Sequence, residues 1–434
     1  MNDLLLFPHF IETEETELLL SLVLAQSPHL SVIYFKHINA KGLRLIASEC
    51  APSLEIIETE VDYNALEAIQ SICRTCPNLT VLRVENFLND LSPDELILTA
   101  VQCCPMIQVL PTLHLELTDA AVNALASENS LTELILNEYH PNSSDVIKRV
   151  IESNPHLPCI GLDGDYIDAE LVSCIAGSCG NLQILELMKE PFADPDSADI
   201  SVLFSSALIN LFRGCTHLEE FTLHQASGLT SEALRALLQY CPNLRVLDLF
   251  INSTIKGSLV DEPVLDAPFP SLTILSVEGN GVAESALRDI FTYCISLSEV
   301  RLRKCNQVTD ETIQIIVQHC ASLAALKQWF CAYVTIAGVL EATHFFALTL
   351  LTLVFMPVSD EVLIQLPLYC RSLIRLMLSS CDGLVTEAGV LAVAERCTGL
   401  TSLTIKGNIV RPLTPTLQLM QQGQLYPHVK FELY

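Results

Sequence analysis

A short apolar phrase recurs along the whole chain and limits what the chain can fold into. The phrase has the form Leu-x-x-Leu-x-Leu and is often preceded by Cys-Pro-x, as in residues 241–249. Its first apolar residue stands at positions 30, 54, 79, 107, 131, 157, 182, 218, 244, 272, 297, 323, 348, 373 and 400. One spacing is 36 residues and all the others lie between 24 and 28, so the pattern indicates fifteen repeats with a single insertion.

Each repeat is predicted to contain a strand, a turn and a helix. Side chains alternate along a strand, so the last two apolar residues of the phrase point into a core and the residues between them point outward. A hydroxyl and an acidic residue such as Thr309 and Asp310 follow many strands and are typical of a helix N-terminus. The next apolar residues, for instance Ile313, Ile316 and Val317, have helical spacing.

A period in the twenties is the signature of leucine-rich repeats, and the predicted fold class is therefore an α/β leucine-rich-repeat solenoid. Fifteen strands at about 4.8 Å would form a parallel concave sheet roughly 70 Å long with convex helices, shaped like a horseshoe. We expect an N-terminal capping partial repeat at 1–29, the solenoid at 30–410 and a C-terminal cap at 411–434. Residues 189–197, a polar insertion with prolines, and the proline-containing stretch 257–270 predict two irregular loops.

Charge and cysteine usage restrict the class of partner and the compartment. The chain has 434 residues and a formal net charge of -28, which disfavours nucleic-acid phosphates and anionic membranes as partners. Seventeen cysteines occur, but no basic segment of the secretory kind precedes the first repeat, so we expect reduced thiols. The most apolar stretch, 345–358, is too short for a membrane helix, and we predict a cytoplasmic protein, with the nucleus as the alternative.

Cysteines occupy two repeated positions, and this placement carries a family resemblance. They end the helical segments and also follow the strands. The helix-end positions are Cys50, Cys76, Cys104, Cys179, Cys215, Cys241, Cys294, Cys320, Cys370 and Cys397, and the positions after strands are Cys305, Cys331 and Cys381. The pattern resembles the cysteine-containing repeats of F-box substrate receptors of ubiquitin ligases and of the antagonist-of-mitotic-exit-network family. Residues 297–320 match best, whereas no stretch resembles the F-box itself.

The slot after the strand has a predicted structural role. Asn252, Asn280 and Asn408 stand where Cys305 stands in its own repeat. A small polar side chain there can satisfy backbone groups at the bend from strand to helix.

Catalytic, metal and cofactor sites are not indicated by any residue pattern. Cys73 and Cys76 have the spacing of a zinc or redox pair, but they span a helix end and the start of the next repeat, which favours packing. The histidines lack metal-ligand spacing, and no phosphate-binding glycine loop occurs. We therefore expect no enzyme activity, no metal and no cofactor.

Outward strand positions change sign along the repeats. Repeats two to nine present Glu58, Glu60, Glu85, Glu133, Asp163, Glu186, Glu220 and Asp248 against Arg83 alone. Repeats eleven to fifteen present Arg301, Arg303, Lys327, Arg375 and Lys406 against Glu299, and the single tryptophan, Trp329, lies beside Lys327. Tryptophan and arginine are enriched in interface hot spots. These five cations and Trp329 are the predicted partner-binding residues for an acidic or phosphorylated segment.

Two interpretations of these cations stay open. They can anchor a partner, or they can neutralise neighbouring acids while Trp329 covers a defect next to Gln328, which stands where Leu is expected. The predicted function is a non-enzymatic protein-interaction module, and the family resemblance implies a substrate receptor or adaptor in ubiquitin-dependent degradation. A regulator of GTPases with ribonuclease-inhibitor-like repeats and a structural scaffold are the alternatives.

Overall fold

A computed structural model of the chain describes residues 3–6, 14–27, 29–50, 53–61, 65–85, 93–110, 118–126, 130–136, 144–188, 198–224, 229–251, 264–265, 267–342, 346–380, 385–407 and 413–433. The described residues fall into two compact units. The first unit comprises Met1–Ala193 and Asn210–Leu218, and the second comprises Asp194–Ile209 and Glu219–Tyr434.

Strands begin two residues after the first apolar residue of the phrase in every predicted repeat except the fourth. These strands are β2 (Val32–Ile38), β3 (Ile56–Val61), β4 (Val81–Glu85), β5 (Glu133–Leu136), β6 (Cys159–Asp163), β7 (Ile184–Met188), β8 (Glu220–His224), β9 (Val246–Phe250), β10 (Ile274–Glu278), β11 (Glu299–Arg303), β12 (Ala325–Trp329), β13 (Leu350–Val354), β14 (Arg375–Ser379) and β15 (Ser402–Lys406). Two further strands, β1 (Asp3–Leu6) and β16 (Lys430–Leu433), lie in the predicted terminal caps. The fourth repeat contributes a single bridge, from Val109 to Val81.

Neighbouring strands pair in parallel and in chain order. In the first unit β1 to β4 form one sheet and β5 to β7 pair with one another. In the second unit β8 to β16 pair in succession. Leu247 and Leu249 of β9 are fully buried and alternate with half-buried residues, as the phrase predicts. A buried leucine stabilises the fold by about 1.5–3 kcal/mol.

Helices follow the strands in nearly all repeats. They are α1 (Glu14–Gln26), α2 (Ala40–Glu49), α3 (Leu66–Thr75), α4 (Pro93–Cys103), α5 (Asp119–Leu125), α6 (Asp145–Ser153), α7 (Ala169–Ser178), α8 (Ala198–Gly214), α9 (Ser231–Tyr240), α10 (Glu284–Tyr293), α11 (Asp310–His319), α12 (Ile336–Glu341), α13 (Asp360–Tyr369), α14 (Glu387–Arg396) and α15 (Pro415–Gln421). The α/β repeat solenoid predicted from the phrase is confirmed. The predicted insertion at 189–197 lies outside the described residues, as do residues 257–263 and 266 of the second predicted loop, 257–270.

Several helix-end cysteines donate hydrogen bonds to backbone carbonyls of the preceding repeat. All ten are buried, and none of the described cysteines forms a disulfide. The Cys215 thiol donates to the carbonyl of Cys179 at 3.2 Å, and the Cys320 thiol donates to that of Phe291 at 3.6 Å. The last carbonyls of a helix lack partners within the helix, so these two thiols stabilise helix ends of the preceding repeat. Burial raises the pKa of Cys215 to about 11, which keeps it a thiol.

The acidic residue at the start of a helix joins two repeats. Asp310 accepts hydrogen bonds from the backbone N–H of Thr335 at 2.7 Å and from its hydroxyl at 2.6 Å. Asp360 accepts the same pair of bonds from Thr386, at 2.8 and 2.6 Å. These acids were predicted to favour the positive end of their own helix, and the contact to the next repeat is a further stabilising role.

A glycine two residues inside the following helix makes room for this carboxylate. A Cβ atom at Gly338 would lie 2.2 Å from Asp310 Oδ1, and one at Gly389 would lie 2.4 Å from Asp360 Oδ1. Any larger residue would displace the carboxylate, so the aspartate and the glycine function as a pair.

Candidate partner-binding surface

In-register pairing sorts the outward residues of the second unit into rows that cross the strands. The middle row contains Asp248, Ser276, Arg301, Lys327, Thr352, Met377, Thr404 and Glu432. The last row contains Phe250, Glu278, Arg303, Trp329, Val354, Ser379 and Lys406. Strands are about 4.8 Å apart, so members of one row on adjacent strands can touch.

Four of the six predicted partner-binding residues lie together. Arg301 is paired with Lys327, and Arg303 is paired with Trp329, on the adjacent strands β11 and β12. Arg375 lies two strands farther on, in β14, and Lys406 lies on β15. The predicted site therefore has a four-residue centre, and the other two cations are separate from it.

Two carboxylates are in contact with the three cations of this centre and with Lys304, which follows β11. Glu299 accepts bonds from Arg301 Nε and Lys327 Nζ, both at 2.7 Å. Glu278 lies 3.1 Å from Arg303 Nη1 and 2.9 Å from Lys304 Nζ. Asp248 in the middle row also acts electrostatically on Arg301. Both interpretations of the cations therefore have a structural basis: the acids neutralise part of the charge, and four cations against three acids leave an excess of positive charge.

Burial determines which of these charges a partner would meet. The side chain of Glu278 is 14% exposed, whereas those of Arg303 and Lys304 are 52% and 63% exposed. Burial alone would raise the pKa of Glu299, but the hydrogen bonds from Arg301 and Lys327 hold that pKa below its ordinary value. Glu299 is 20% exposed, against 38% for Arg301 and 25% for Lys327, so both carboxylates present less surface than the cations that they contact.

Trp329 is part of the same cluster. The Arg303 guanidinium carbon lies 5.6 Å from the centre of the Trp329 ring, which is a cation–π contact. Trp329 is half-buried, so one part of its ring packs and the other part faces solvent. Gln328, between Lys327 and Trp329 in sequence, is fully buried on the opposite face of β12, and neither polar atom of its amide has a hydrogen-bond partner among the described residues.

Sequence reasoning missed the residues that immediately follow the strands. Lys304, Phe330 and Phe355 come directly after β11, β12 and β13 and have φ of +52°, +54° and +52°. The N–H of Phe330 donates to the carbonyl of Val354, and that of Phe355 donates to the carbonyl of Ser379, which fixes these turns. The available signal was their position just before the slot of Cys305 and Cys331, where turn residues are normally small.

That slot has the structural role predicted for it. The Cys305 thiol donates to the carbonyls of Val277 and Arg303, each at 3.3 Å, and Asn280 Oδ1 accepts from the N–H of Asn306 at 2.8 Å. The equivalent Asn252, Cys381 and Asn408 lie outside the described residues.

A groove at the ends of β9 to β13 is lined by these missed residues. Its volume is about 510 Å³, within the roughly 300–1,000 Å³ of typical ligand pockets. Its walls include Arg303, Lys304, Trp329, Phe330 and Phe355. We call it the strand-end groove.

The acidic strands of the first unit form their own ion pairs. Arg83 contacts Glu58 at 2.7 Å and also contacts Glu133, so the single cation predicted for this surface connects two acids. The side chain of Glu85 lies outside the described part of the chain. In the second unit His224 Nε2 is 3.7 Å from Asp248.

The described residues contain no group of three or more histidine, cysteine or acidic side chains that could hold a metal ion. Cys73 and Cys76 are both buried, and the thiol of Cys104 donates to the carbonyl of Cys73 at 3.4 Å. Among the described helices none is long and apolar enough to cross a bilayer.

Comparison with known proteins identifies a relative and a fold. No family model matches the chain. A relative from Caenorhabditis elegans, named putative RNA-binding protein EEED8.10, is 23% identical over 317 residues, covering 69% of this chain and 41% of the relative. The chain therefore spans about two fifths of that relative's length.

Two solved structures resemble this chain. A chain in the crystal structure of the yeast Rad7 and Elc1 complex matches with a TM-score of 0.54 at 17% identity, over 91% of this chain and 86% of that chain. A leucine-rich-repeat protein of Leptospira interrogans, LIC12759, matches with a TM-score of 0.43 at 15% identity, over 99% of this chain and 100% of that chain. The likeness to the yeast chain supports the fold, and this protein is similar to leucine-rich-repeat solenoids.

Proposed function

We propose that this chain is a non-enzymatic module that binds a protein partner through the outward surface of β11 and β12. The observation that supports it is the contact of Arg303 with Trp329 beside exposed Lys304, above carboxylates that are largely buried. Arginine and tryptophan at the centre of a surface are typical of binding hot spots. Excess positive charge on a chain of net charge -28 favours an acidic or phosphorylated segment of the partner.

A pull-down from cell lysate tests this proposal. The full chain is compared with the variant that carries Arg301→Glu and Trp329→Ala, and bound proteins are quantified by mass spectrometry. We expect partner recovery to fall at least tenfold. Arg288→Glu is the matched control, because Arg288 is an exposed arginine on α10 that pairs with Glu311 at 2.9 Å. Equal recovery by wild type and the double variant would contradict the proposal.

The finer proposal is a receptor or adaptor in ubiquitin-dependent degradation. Its support is the resemblance of the cysteine-containing repeats and the match to a chain solved in complex with a second protein, Elc1. Recovery of a cullin-ligase adaptor in the same pull-down would favour this role. Stoichiometric recovery of other proteins without such an adaptor would favour a scaffold.

RNA binding is a second candidate, because the C. elegans relative is named a putative RNA-binding protein. The acidic chain disfavours it, since phosphate contacts dominate the affinity of nucleic-acid binding proteins. Fluorescence anisotropy of a labelled twenty-nucleotide oligouridine at several salt concentrations separates the two candidates. Protein partners without RNA binding would support the main proposal.

A further inference from the structure

The residue after each strand of repeats ten to fifteen has the same left-handed backbone conformation but very different side chains. Gly279 and Gly407 occupy this position after β10 and β15, with φ of +89° and +79°. Phe330 and Phe355 occupy it after β12 and β13. Glycine adopts positive φ without steric strain, whereas a bulky side chain there is an outlier. Packing of the fold therefore does not account for phenylalanine at these two turns.

The two phenylalanine rings also face solvent. Each residue is 52% exposed, and the ring centroids are 5.5 Å apart with an interplanar angle of 76°. The rings form the wall between the strand-end groove and a second cavity of about 560 Å³, which is lined by Val334, Ile336 and Pro357. Single exposed apolar residues are ordinary, but a contiguous apolar patch on a strained backbone is typical of a binding site.

Cations stand at one end of this apolar surface. Lys304 precedes Phe330 and Phe355 in the row of turn residues, because the N–H of Lys304 donates to the carbonyl of Trp329 on the next strand. Arg303 covers part of the Trp329 ring. An acidic group placed over β11 would therefore meet Lys304 and Arg303, and an apolar group placed over β12 and β13 would meet three aromatic rings.

We propose that the strand-end groove binds an extended acidic segment of a partner protein in which a carboxylate side chain stands two residues from a large aliphatic or aromatic one. Adjacent strands are about 4.8 Å apart, so the two contacts are separated by about 5–10 Å. Alternate residues of an extended chain lie on one face at about 6.6 Å, which fits this separation. The inference rests on the proposed function and names the chemistry of the partner.

The arrangement of the rings favours a peptide over single-stranded RNA. Bases stack face to face on aromatic side chains, and consecutive bases need consecutive platforms. Phe330 and Phe355 meet edge to face, so they form a cleft for a side chain and no common platform.

Selection from a phage-displayed library of random twelve-residue peptides on the full chain tests the inference. The ring variant is Phe330→Asn with Phe355→Gly, because asparagine and glycine accept positive φ and the fold is retained. The charge variant is Lys304→Glu. Phe346→Ala is the matched control, because Phe346 is a 71% exposed phenylalanine that packs edge-on against Tyr369 and does not line the groove.

We expect wild type and Phe346→Ala to enrich the same acidic-apolar peptides. The ring variant should bind those peptides at least tenfold more weakly, and Lys304→Glu should shift the selected charge toward lysine and arginine. Failure to enrich acidic-apolar peptides, equal binding by the ring variant, or RNA binding that the ring variant loses would each overturn the inference. If the ring variant still recovers the partners that Arg301→Glu with Trp329→Ala loses, this inference fails while the proposed function stands.

Discussion

Repeats twelve and fourteen share one structural device and differ in almost everything else. In both, a threonine before the helix donates to the aspartate of the preceding repeat, and a glycine, Gly338 or Gly389, makes room for that aspartate. Repeat fourteen has a ten-residue helix, α14, whereas α12 of repeat twelve has six residues. The stacking device is thus independent of the surface that a repeat presents.

The side chains of the two strands show what differs. Where repeat fourteen has buried Leu378, the half-buried Ser379 and the turn residue Ser380, repeat twelve has the buried amide of Gln328, then Trp329 and Phe330. A buried amide without a partner and a bulky residue at positive φ both cost stability. The residues of repeat fourteen at these positions are favourable for stability. In repeat twelve, Gln328 and Phe330 lower stability next to the aromatic surface of Trp329 and Phe330.

Transferring the buried amide to repeat fourteen should have the largest effect. Leu378→Gln removes a buried leucine, worth about 1.5–3 kcal/mol, and leaves an unsatisfied amide that costs about 1–3 kcal/mol. We expect urea denaturation to show a loss of about 3–5 kcal/mol in the free energy of unfolding. Ser379→Gln on the outward face is the control, with a change within about 0.5 kcal/mol. If the two variants lose similar amounts of unfolding free energy, the buried and outward faces of β14 do not differ in the way described.

Breaking the shared device should be the next largest effect, in both repeats. Gly338→Ala places a methyl group on the Asp310 carboxylate, and overpacking of this kind costs about 1–3 kcal/mol. Gly389→Ala should behave alike. Gly177→Ala is the control, because a Cβ at Gly177 has no neighbouring atom within 4 Å. Alanine at position 177 should be neutral or stabilise the protein by up to about 1 kcal/mol. If thermal unfolding shows the same small effect for Gly338→Ala as for this control, the steric role of Gly338 is contradicted.

Making repeat twelve resemble repeat fourteen in its core should stabilise the protein. Gln328→Leu replaces the unpartnered amide by the residue that the phrase expects, and we expect a gain of about 1–3 kcal/mol in urea denaturation. Gln307→Leu, at a part-buried turn position whose amide donates to the Gly279 carbonyl, is the opposite case and should destabilise. A loss of stability on Gln328→Leu would show that the amide has a partner that stabilises it.

Replacing the turn residue should change stability little. Phe330→Ser copies Ser380, which has φ of +49°, and removes a half-exposed ring. The expected change in unfolding free energy is within about 1 kcal/mol, because lost aromatic contact and relieved crowding offset each other. Phe291→Ala, at a fully buried phenylalanine, should cost about 3–5 kcal/mol in the same assay. A loss of comparable size for Phe330→Ser would show that the Phe330 ring stabilises the fold.

The smallest expected effect concerns the charge beside repeat twelve. Lys327 is held by Glu299, whereas repeat fourteen has Met377 in the same row. The pKa of Glu299 is lowered in the fold, so its ionised form stabilises the protein above the ordinary carboxyl pKa, and this contribution is lost as pH falls through the lowered value. Glu299→Gln should cost less than about 1 kcal/mol at neutral pH.

The difference between wild type and Glu299→Gln should therefore vanish in acid, which unfolding curves at several pH values will show. Glu219→Gln is the control, because Glu219 forms a longer contact of 3.6 Å with the more exposed Arg245. A difference that persists in acid would mean that the ion pairs of Glu299 do not contribute.

Much of the fold was predictable because the phrase specifies it locally. Strand alternation determines which residues are buried, and hydroxyl residues before helices place the N-termini, as with Thr230, whose hydroxyl accepts from the N–H of Ala233. Contacts between repeats were harder to predict. Asp310 was assigned to its own helix, because sequence periodicity does not show that a side chain reaches the next repeat.

The candidate surface was predicted only in part, for two physical reasons. Glu278 belongs to repeat ten, and its contact with Arg303 depends on side-chain direction across strands, which no spacing within one repeat encodes. The positive φ of Phe330 and Phe355 arises from hydrogen bonds to the following repeat and contradicts local residue preference. Sequence reasoning therefore identified Trp329 and the cations and missed the rings beside them.

The burial of the helix-end cysteines determines when their thiols can react. Each lies at the contact between two repeats and is fully buried, so a thiol-specific reagent can react only after that contact opens. The helix-end cysteines can therefore report local opening at ten of the fourteen intervals between the fifteen repeats. Alkylation followed by peptide mass spectrometry would map the local opening free energies of the array, without the introduction of any probe.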